Sequence, residues 1–325
     1  MATAPFALSS RSRFRRAFTI LEMLVATTVL VLLLTLIASV LSQTTSTIRQ
    51  STAQADAFTA ARSAFDLVTR HLAQAILNPY WDYDSPTSPT RYLRQSDLHF
   101  VVRQNTKDPS SGQEVFFQAP DGFSLSPSYQ SASGLLNACG YRVVYGNDDA
   151  FRATSASAPR WRYRLMQSLQ PAESLRVFDD KTVSNPAWIQ SALTTELPVT
   201  ENIIAMIVWP RLSAGDDPTG TTLSSDYQYN SRENAAAKPQ PSTANQLPPT
   251  VQITLIAISE ASAARIDTRS SSAPTEIESA LAGKFTQASQ FQHDLDEVAQ
   301  KLTAKNIAFQ IFTLSVVMKE SKWSP

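Results

Sequence analysis

RSRFRRAFTILEMLVATTVLVLLLTLIASVLSQ, residues 11–43, decides how the rest of the chain is read. Arg11, Arg13, Arg15 and Arg16 are the only charges before Glu22, and none follows Glu22 until Arg49. The 26 residues from Met23 to Ile48 are therefore uncharged, and Leu, Val, Ile and Ala dominate them. As a helix rising about 1.5 Å per residue, residues 18–41 reach roughly 36 Å, enough to cross a hydrocarbon core of about 30 Å. This pattern predicts a transmembrane segment. With the arginines in front of it and no comparable cluster behind, the positive-inside rule leaves residues 1–17 in the cytoplasm and sends the remainder outward. A secretory signal peptide opens in the same way, but its apolar core runs only about 7–15 residues and ends at a small-x-small cleavage site. Here the run is longer, and the nearest candidate, Val40-Leu41-Ser42, fits that site poorly.

The whole chain has 325 residues, 43% hydrophobic and 17% charged, which suits one or two folded domains. Its 28 basic and 28 acidic groups cancel, but unevenly: residues 18–325 carry 24 basic and 28 acidic groups, a formal charge of −4. That balance argues against a nucleic-acid-binding body. A lone cysteine, Cys139, closes no intrachain disulfide and cannot build a multi-cysteine zinc site. Three histidines, His71, His99 and His293, are too few for histidine-rich metal chemistry.

Glu22 separates two readings of the apolar segment. A carboxylate inside a membrane helix is costly unless paired, which makes it a functional residue by default. If the chain is cut between Ala17 and Phe18, the new amine lies four residues from Glu22, about one helical turn away. The acid can then neutralise that amine or the amine of a neighbouring subunit. The plainer reading places Glu22 at headgroup depth, where the helix dipole favours an acid. That reading explains the charge but not the letters around it. Ala17 followed by Phe18-Thr19-Ile20-Leu21-Glu22 resembles the class III signal of type IV pilins and pseudopilins. The family pattern is a short basic leader, a small residue before the cut, a phenylalanine as mature N-terminus, a glutamate as fifth mature residue and about twenty apolar residues. The resemblance implies cleavage of Ala17-Phe18 and methylation of the new amine by a prepilin peptidase, with Glu22 as the assembly residue. The family's usual residue before the cut is glycine; this chain has alanine.

From Phe18 to Leu77 there is neither glycine nor proline, and Pro79 is the first breaker. One helix is expected to leave the membrane and continue outward. In its second half Ile48, Ala55, Phe58, Phe65, Val68, Leu72 and Ile76 recur at helical spacing, while Arg49, Asp56, Arg62, Asp66 and Arg70 fall mainly elsewhere. The apolar stripe requires a partner from the C-terminal chain. Pilins follow such a plan, with half of the helix in the bilayer or filament core and half packed on a β-rich head. The expected divisions are a leader at 1–17, a transmembrane half-helix at 18–41, an amphipathic half-helix at 42–78 and a β-rich head at 79–325.

Beyond Trp81 short alternating or apolar runs are separated by Pro, Ser, Asn, Asp and Gly. They predict strands at 98–102, 115–118, 140–145, 160–166, 203–209, 251–258 and 308–317, and an antiparallel sheet. WRYRLM at 161–166 is expected as a half-buried strand rather than a basic nucleic-acid strip. Phe291, Leu295, Val298 and Leu302 predict a second amphipathic helix over 285–304. Residues 216–249, rich in Thr, Ser, Asn, Gln and Pro, are expected as a mobile surface loop, and 259–282 as a similar but shorter one. The fold class is thus α+β, a long N-terminal helix packed on an antiparallel β head. The order of pieces resembles minor pseudopilin J of type II secretion, through the FDLVTRHLAQAI run ending at Asn78-Pro79, RYRLMQ, ENIIAMIVWP and LPPTVQITLIAIS. NPYWDYD and the closing KESKWSP also resemble the Verru_Chthon cassette protein C family.

These resemblances imply a minor subunit of a pseudopilus-like filament in the bacterial inner membrane, its head in the periplasm. The implied partners are the prepilin peptidase, other pilin or pseudopilin subunits and the inner-membrane assembly platform. No catalytic residue, cofactor or metal is expected. Phosphate-loop, nucleophile-elbow and H-E-x-x-H patterns are missing from the sequence. His71 and His99 read as surface or packing residues, and His293-Asp294 with Asp296 and Glu297 as a solvated helix face. Asp82 with Asp84, Asp148 with Asp149, and Asp216 with Asp217 are acidic pairs without regular calcium-loop spacing. Tyr80, Trp81 and Tyr83 suit either a contact with another subunit or a cover for the helix end. The alternative to an assembly subunit is a membrane-anchored binding module, an adhesin or DNA-capturing tip, which the 216–249 loop favours. An anchored enzyme has no supporting constellation.

Overall fold

Helix formation begins with the uninterrupted Gly- and Pro-free run. In the computed structural model, which describes residues 20–323 except 130, 153–157 and 214, helix α1 (Ile20–Leu72) is continuous over 53 residues. The side chains of residues 42, 43 and 45–57 lie outside the described set. The chain divides into two units, Met1–Thr52 and Ala53–Pro325, and α1 crosses the boundary. The helix stops six residues before the expected boundary at Asn78. Pro79 excludes helical geometry at the residue before it, and the Asn78 carboxamide oxygen accepts from the Asp97 and Leu98 amides at 3.0 and 3.2 Å. Ile76 is already extended and donates its amide to the Gln118 carbonyl at 2.9 Å.

Among its described residues the second unit holds eleven strands in three antiparallel sheets. A short pair joins β1 (Tyr80–Tyr83) and β2 (Tyr92–Gln95). The main sheet contains β3 (Val101–Gln104), β4 (Gln113–Ala119), β5 (Asn137–Gly146), β6 (Arg162–Gln170), β7 (Glu196–Glu201) and β9 (Tyr229–Asn230), in the order β7-β6-β5-β4-β3-β9. A further sheet, β11-β10-β8, is built from β8 (Ile203–Arg211), β10 (Thr250–Ile258) and β11 (Phe309–Val317). The fold is α+β, an apolar N-terminal helix followed by antiparallel sheets.

The apolar stripe of α1 meets both larger sheets. Ala61, Ala64, Phe65, Val68 and Leu72 are buried, while Arg62, Asp66 and Arg70 are exposed. Phe65 packs on Phe312 of β11 with ring centroids 5.9 Å apart, so the C-terminal chain does supply the expected partner. On the main sheet, His71 Nδ1 and the Tyr141 hydroxyl of β5 are 2.7 Å apart. The opposite face of that sheet is covered by α2 (Ala187–Leu193), whose Trp188 meets Phe116 edge-on at 6.3 Å.

Gly112 and Asn202 are among the positions that join the sheets. Gly112 bridges to Met206 with φ +94°, and a Cβ there would lie 2.3 Å from the Met206 carbonyl oxygen, so only glycine fits. Asn202, at φ 67° between β7 and β8, donates its amide to Tyr163 at 2.7 Å and accepts from the Ile258 amide at 2.9 Å.

Both polar segments expected as loops contribute structure. Residues 216–249 include β9 and bury Tyr227, Tyr229, Ala244 and Leu247, with the Tyr229 hydroxyl donating to the Gln246 carbonyl at 2.8 Å. Sparse aromatic anchors hold the segment against the core despite its polar composition. Residues 259–282 contain α3 (Glu260–Arg265), capped by Ser259, and α4 (Thr275–Leu281), which buries Ile277, Ala280 and Leu281. The second amphipathic helix, α5 (Phe291–Ala304), starts later than expected because Phe285 takes a positive φ of 55° and a 3-10 turn occupies 288–290.

Candidate functional site

The leader arginines Arg11, Arg13, Arg15 and Arg16 and the Ala17-Phe18 junction lie outside the described residues. The assembly candidate Glu22 lies inside them, in the first turn of α1. The span Ile20–Leu41 has a mean hydropathy of 2.7, and none of that window is buried within the protein. This separates it from an ordinary core helix, whose apolar face would be covered. Leu21, Leu24, Leu32 and Leu36 each leave 60% or more of their surface open. Its threonine hydroxyls are satisfied along the helix itself. Thr27 donates to the Leu24 carbonyl at 3.0 Å, Thr28 donates to the same carbonyl, and Thr35 donates to Leu32 at 2.8 Å. Intrahelical partners of this kind are what hydrocarbon requires of a hydroxyl. The segment is long and apolar enough to cross a membrane, and Glu22 is its single ionisable group.

His71 and His99 are held in place by packing and hydrogen bonds. His99 is fully buried, with Trp188 Nε1 donating to its Nδ1 at 3.3 Å and its Nε2 facing Asn230 Oδ1 at 2.7 Å. These contacts suit a neutral ring protonated on Nε2. Burial first, and the nearby Arg232 second, push its pKa down to about 3. His293 is exposed on α5, but the adjoining Asp294 is not part of a solvated face. Asp294 is buried and accepts from the Phe285 amide at 2.8 Å, and Lys284 lies 3.5 Å from it. The positive φ of Phe285 turns that amide inward, and the carboxylate satisfies it.

The acidic pairs serve turns. Asp84 accepts from the Thr90 side chain and from its amide at 2.8 Å, Asp148 from the Arg160 amide at 2.9 Å, and Asp217 from the Gly220 and Thr222 amides at 2.9 and 2.8 Å. Among the described residues no group of three or more His, Cys, Asp or Glu is placed to hold a metal ion. Cys139 is buried and donates to Asp121 at 2.7 Å, and burial pushes its thiol pKa well up, away from thiolate reactivity.

The WRYRLM strand is buried on both faces rather than half-buried, because its arginines are paired. Arg162 reaches Asp267 at 2.7 Å and Arg164 reaches Glu201 at 3.1 Å, which leaves no open basic strip. Tyr80, Trp81 and Tyr83 are exposed on β1; Arg94 lies 5.9 Å above Trp81, and Tyr83 stacks on Tyr92 at 4.7 Å. They lie on an exposed two-stranded hairpin.

Two further groups of residues emerge from the geometry alone. Glu114 is fully buried between Arg103 at 2.7 Å and Arg142 at 3.6 Å, and Arg142 continues to Glu196 at 2.6 Å. Trp161 stacks on Tyr145 and Tyr163 packs tilted against it, where β5 ends and β6 begins. Aromatic spacing in WRYRLM hinted at the second group, whereas nothing in the linear sequence paired the first. Comparison of the chain with protein-family models, with curated proteins and with solved structures finds no significant match.

Proposed function

We propose that this protein is a minor pilin or pseudopilin, a structural subunit anchored by a single inner-membrane helix and assembled into a type II secretion or type IV pilus-like filament. The observation that carries the reading is the unburied apolar span Ile20–Leu41 with one carboxylate, Glu22, in its first turn. The Ala17-Phe18-Thr19-Ile20-Leu21-Glu22 motif gives that carboxylate a purpose. A prepilin peptidase cuts before Phe18 on the cytoplasmic side and methylates the exposed amine. A carboxylate within a membrane span is costly unless its charge is neutralised. The amine of an incoming subunit removes that cost, so docking is favoured only when acid and amine meet. Apolar helices then pack side by side, and the α+β head supplies lateral contacts. The fold supports the reading through the apolar stripe of α1 seated on antiparallel sheets, a pilin-like layout.

The assembly platform and neighbouring subunits are the partners in this scheme, and the chemistry is noncovalent after processing. Glu22→Ala is expected to stay in the membrane but to be lost from sheared filaments, as read by fractionation and immunoblotting. Incorporation of the variant at the parental level refutes the pairing role.

A further inference from the structure

Where β5 ends and β6 begins, the main sheet carries a cleft of about 960 Å3, bounded by residues 107–110, the β5–β6 end and residues 271–278. One wall is aromatic. Tyr145 and Trp161 lie within 29° of parallel, with ring centroids 6.1 Å apart, and Tyr163 sits 4.9 Å from Tyr145. The Tyr145 hydroxyl lies 3.1 Å from Thr268 Oγ1 and donates to the Ser270 carbonyl at 3.3 Å, which fixes the ring before any ligand arrives. Asp108, Asn147 and Glu278 supply polar groups on the lining. Asp108 accepts from Ser110 at 2.8 Å, and neither carboxylate forms an ion pair among the described residues.

The hydroxyl of Tyr163, a residue 3% exposed, has no hydrogen-bond partner among the described residues. Tyr163 lines a smaller cavity that shares Tyr145 and Trp161 with the cleft. Burial, followed by the nearby Asp108 and Glu278, keeps the phenol protonated and therefore a donor. That cavity is only about 10 Å3, room for a single water at most, so this hydroxyl is not offered to a ligand in the cleft.

The lining discriminates between ligand classes. Two carboxylates repel an anion and therefore a nucleic acid. A hydrocarbon would strip water from those carboxylates without replacing it. A cation suits the acids but meets the Lys107 ammonium on the same lining. A sugar ring fits: its C–H face covers an aromatic wall, and its edge hydroxyls donate to carboxylates and amide oxygens. We propose that this cleft binds a neutral oligosaccharide, one ring stacked on Trp161 and its hydroxyls donating to Asp108 and Glu278. The inference goes beyond the assembly role and does not depend on it.

The test is isothermal titration of the full chain, held in a polyoxyethylene detergent that has no sugar headgroup, against chitotetraose, cellotetraose, maltotetraose and mannotetraose. At least one is expected to bind with a Kd below about 1 mM. Trp161→Ala and Glu278→Gln should each weaken it about tenfold or more, while Tyr92→Ala on the exposed hairpin leaves it unchanged. Glu278 is exposed on α4, so its substitution carries the test even if Trp161→Ala perturbs folding. Failure of all four sugars to bind overturns the proposal. So does binding that survives Glu278→Gln, or binding of spermidine in place of every sugar.

Discussion

Glu114 shows how much of this fold rests on single side chains. Its carboxylate is fully buried, and it accepts from Arg103 and from Thr106 while Arg142 lies close by. Breaking a buried pair leaves uncompensated charge behind. Glu114→Gln is therefore expected to destabilise the head by about 3–5 kcal/mol, measured by urea unfolding; a loss under about 1 kcal/mol contradicts the buried ladder. His99 gives a pH signature. Its folded pKa of about 3 lies below the ordinary 6.5, so the unfolded state binds more protons between those values. Stability contributed by the neutral ring is present above about pH 6.5 and is lost as the pH falls toward 3, by up to about 1.4 kcal/mol per pH unit. His99→Gln should flatten that slope in denaturant titrations at stepped pH, and an unchanged slope contradicts the assignment. The sequence marked His99 as a surface or packing residue, but Glu114 did not announce itself. Glu114 sits at the start of an apolar run, and its partners come from 11 residues before and 28 after.

At the scale of elements, burial explains what was legible. Strands β4, β5, β6, β8, β10 and β11 are apolar or alternating over several residues, and the sequence places all of them within a few residues of their observed ends. β7 escaped because Glu196, Pro198 and Glu201 give it the composition of a loop, yet it pairs along β6 as the sheet edge, where a proline costs little. Helices α2, α3 and α4 are six or seven residues long, too short for a 3.6-residue period to declare itself. The amphipathic half of α1 was legible from its stripe, and the stripe predicts its energetics. Phe65 is 6% exposed and packs on Phe312, so Phe65→Ala should cost about 3–5 kcal/mol in thermal or urea unfolding. A cost below about 1 kcal/mol would mean that α1 is not anchored to the C-terminal strand.

At the scale of the whole molecule, the apolar span and the head make different demands on solvent. Residues 20–41 leave large aliphatic side chains open, whereas the unit Ala53–Pro325 contains its own core from α1 to β11. Residues 53–325 expressed alone should therefore be water-soluble and unfold in one cooperative step, read by circular dichroism; a broad, noncooperative melt contradicts a self-sufficient head. The sequence made the apolar span legible through charge and length, but not how the two larger sheets meet. That junction depends on the approach of Gly112 to Met206 and on the turn at Asn202, contacts between residues distant along the chain. The proposed assembly role requires a chain cut before Phe18. Mass spectrometry of the protein purified from membranes tests this most directly: it should begin at Phe18 with a methylated amine and retain Glu22 and the whole apolar span, whereas a chain that starts at Met1, or one cut near Ser42, contradicts it.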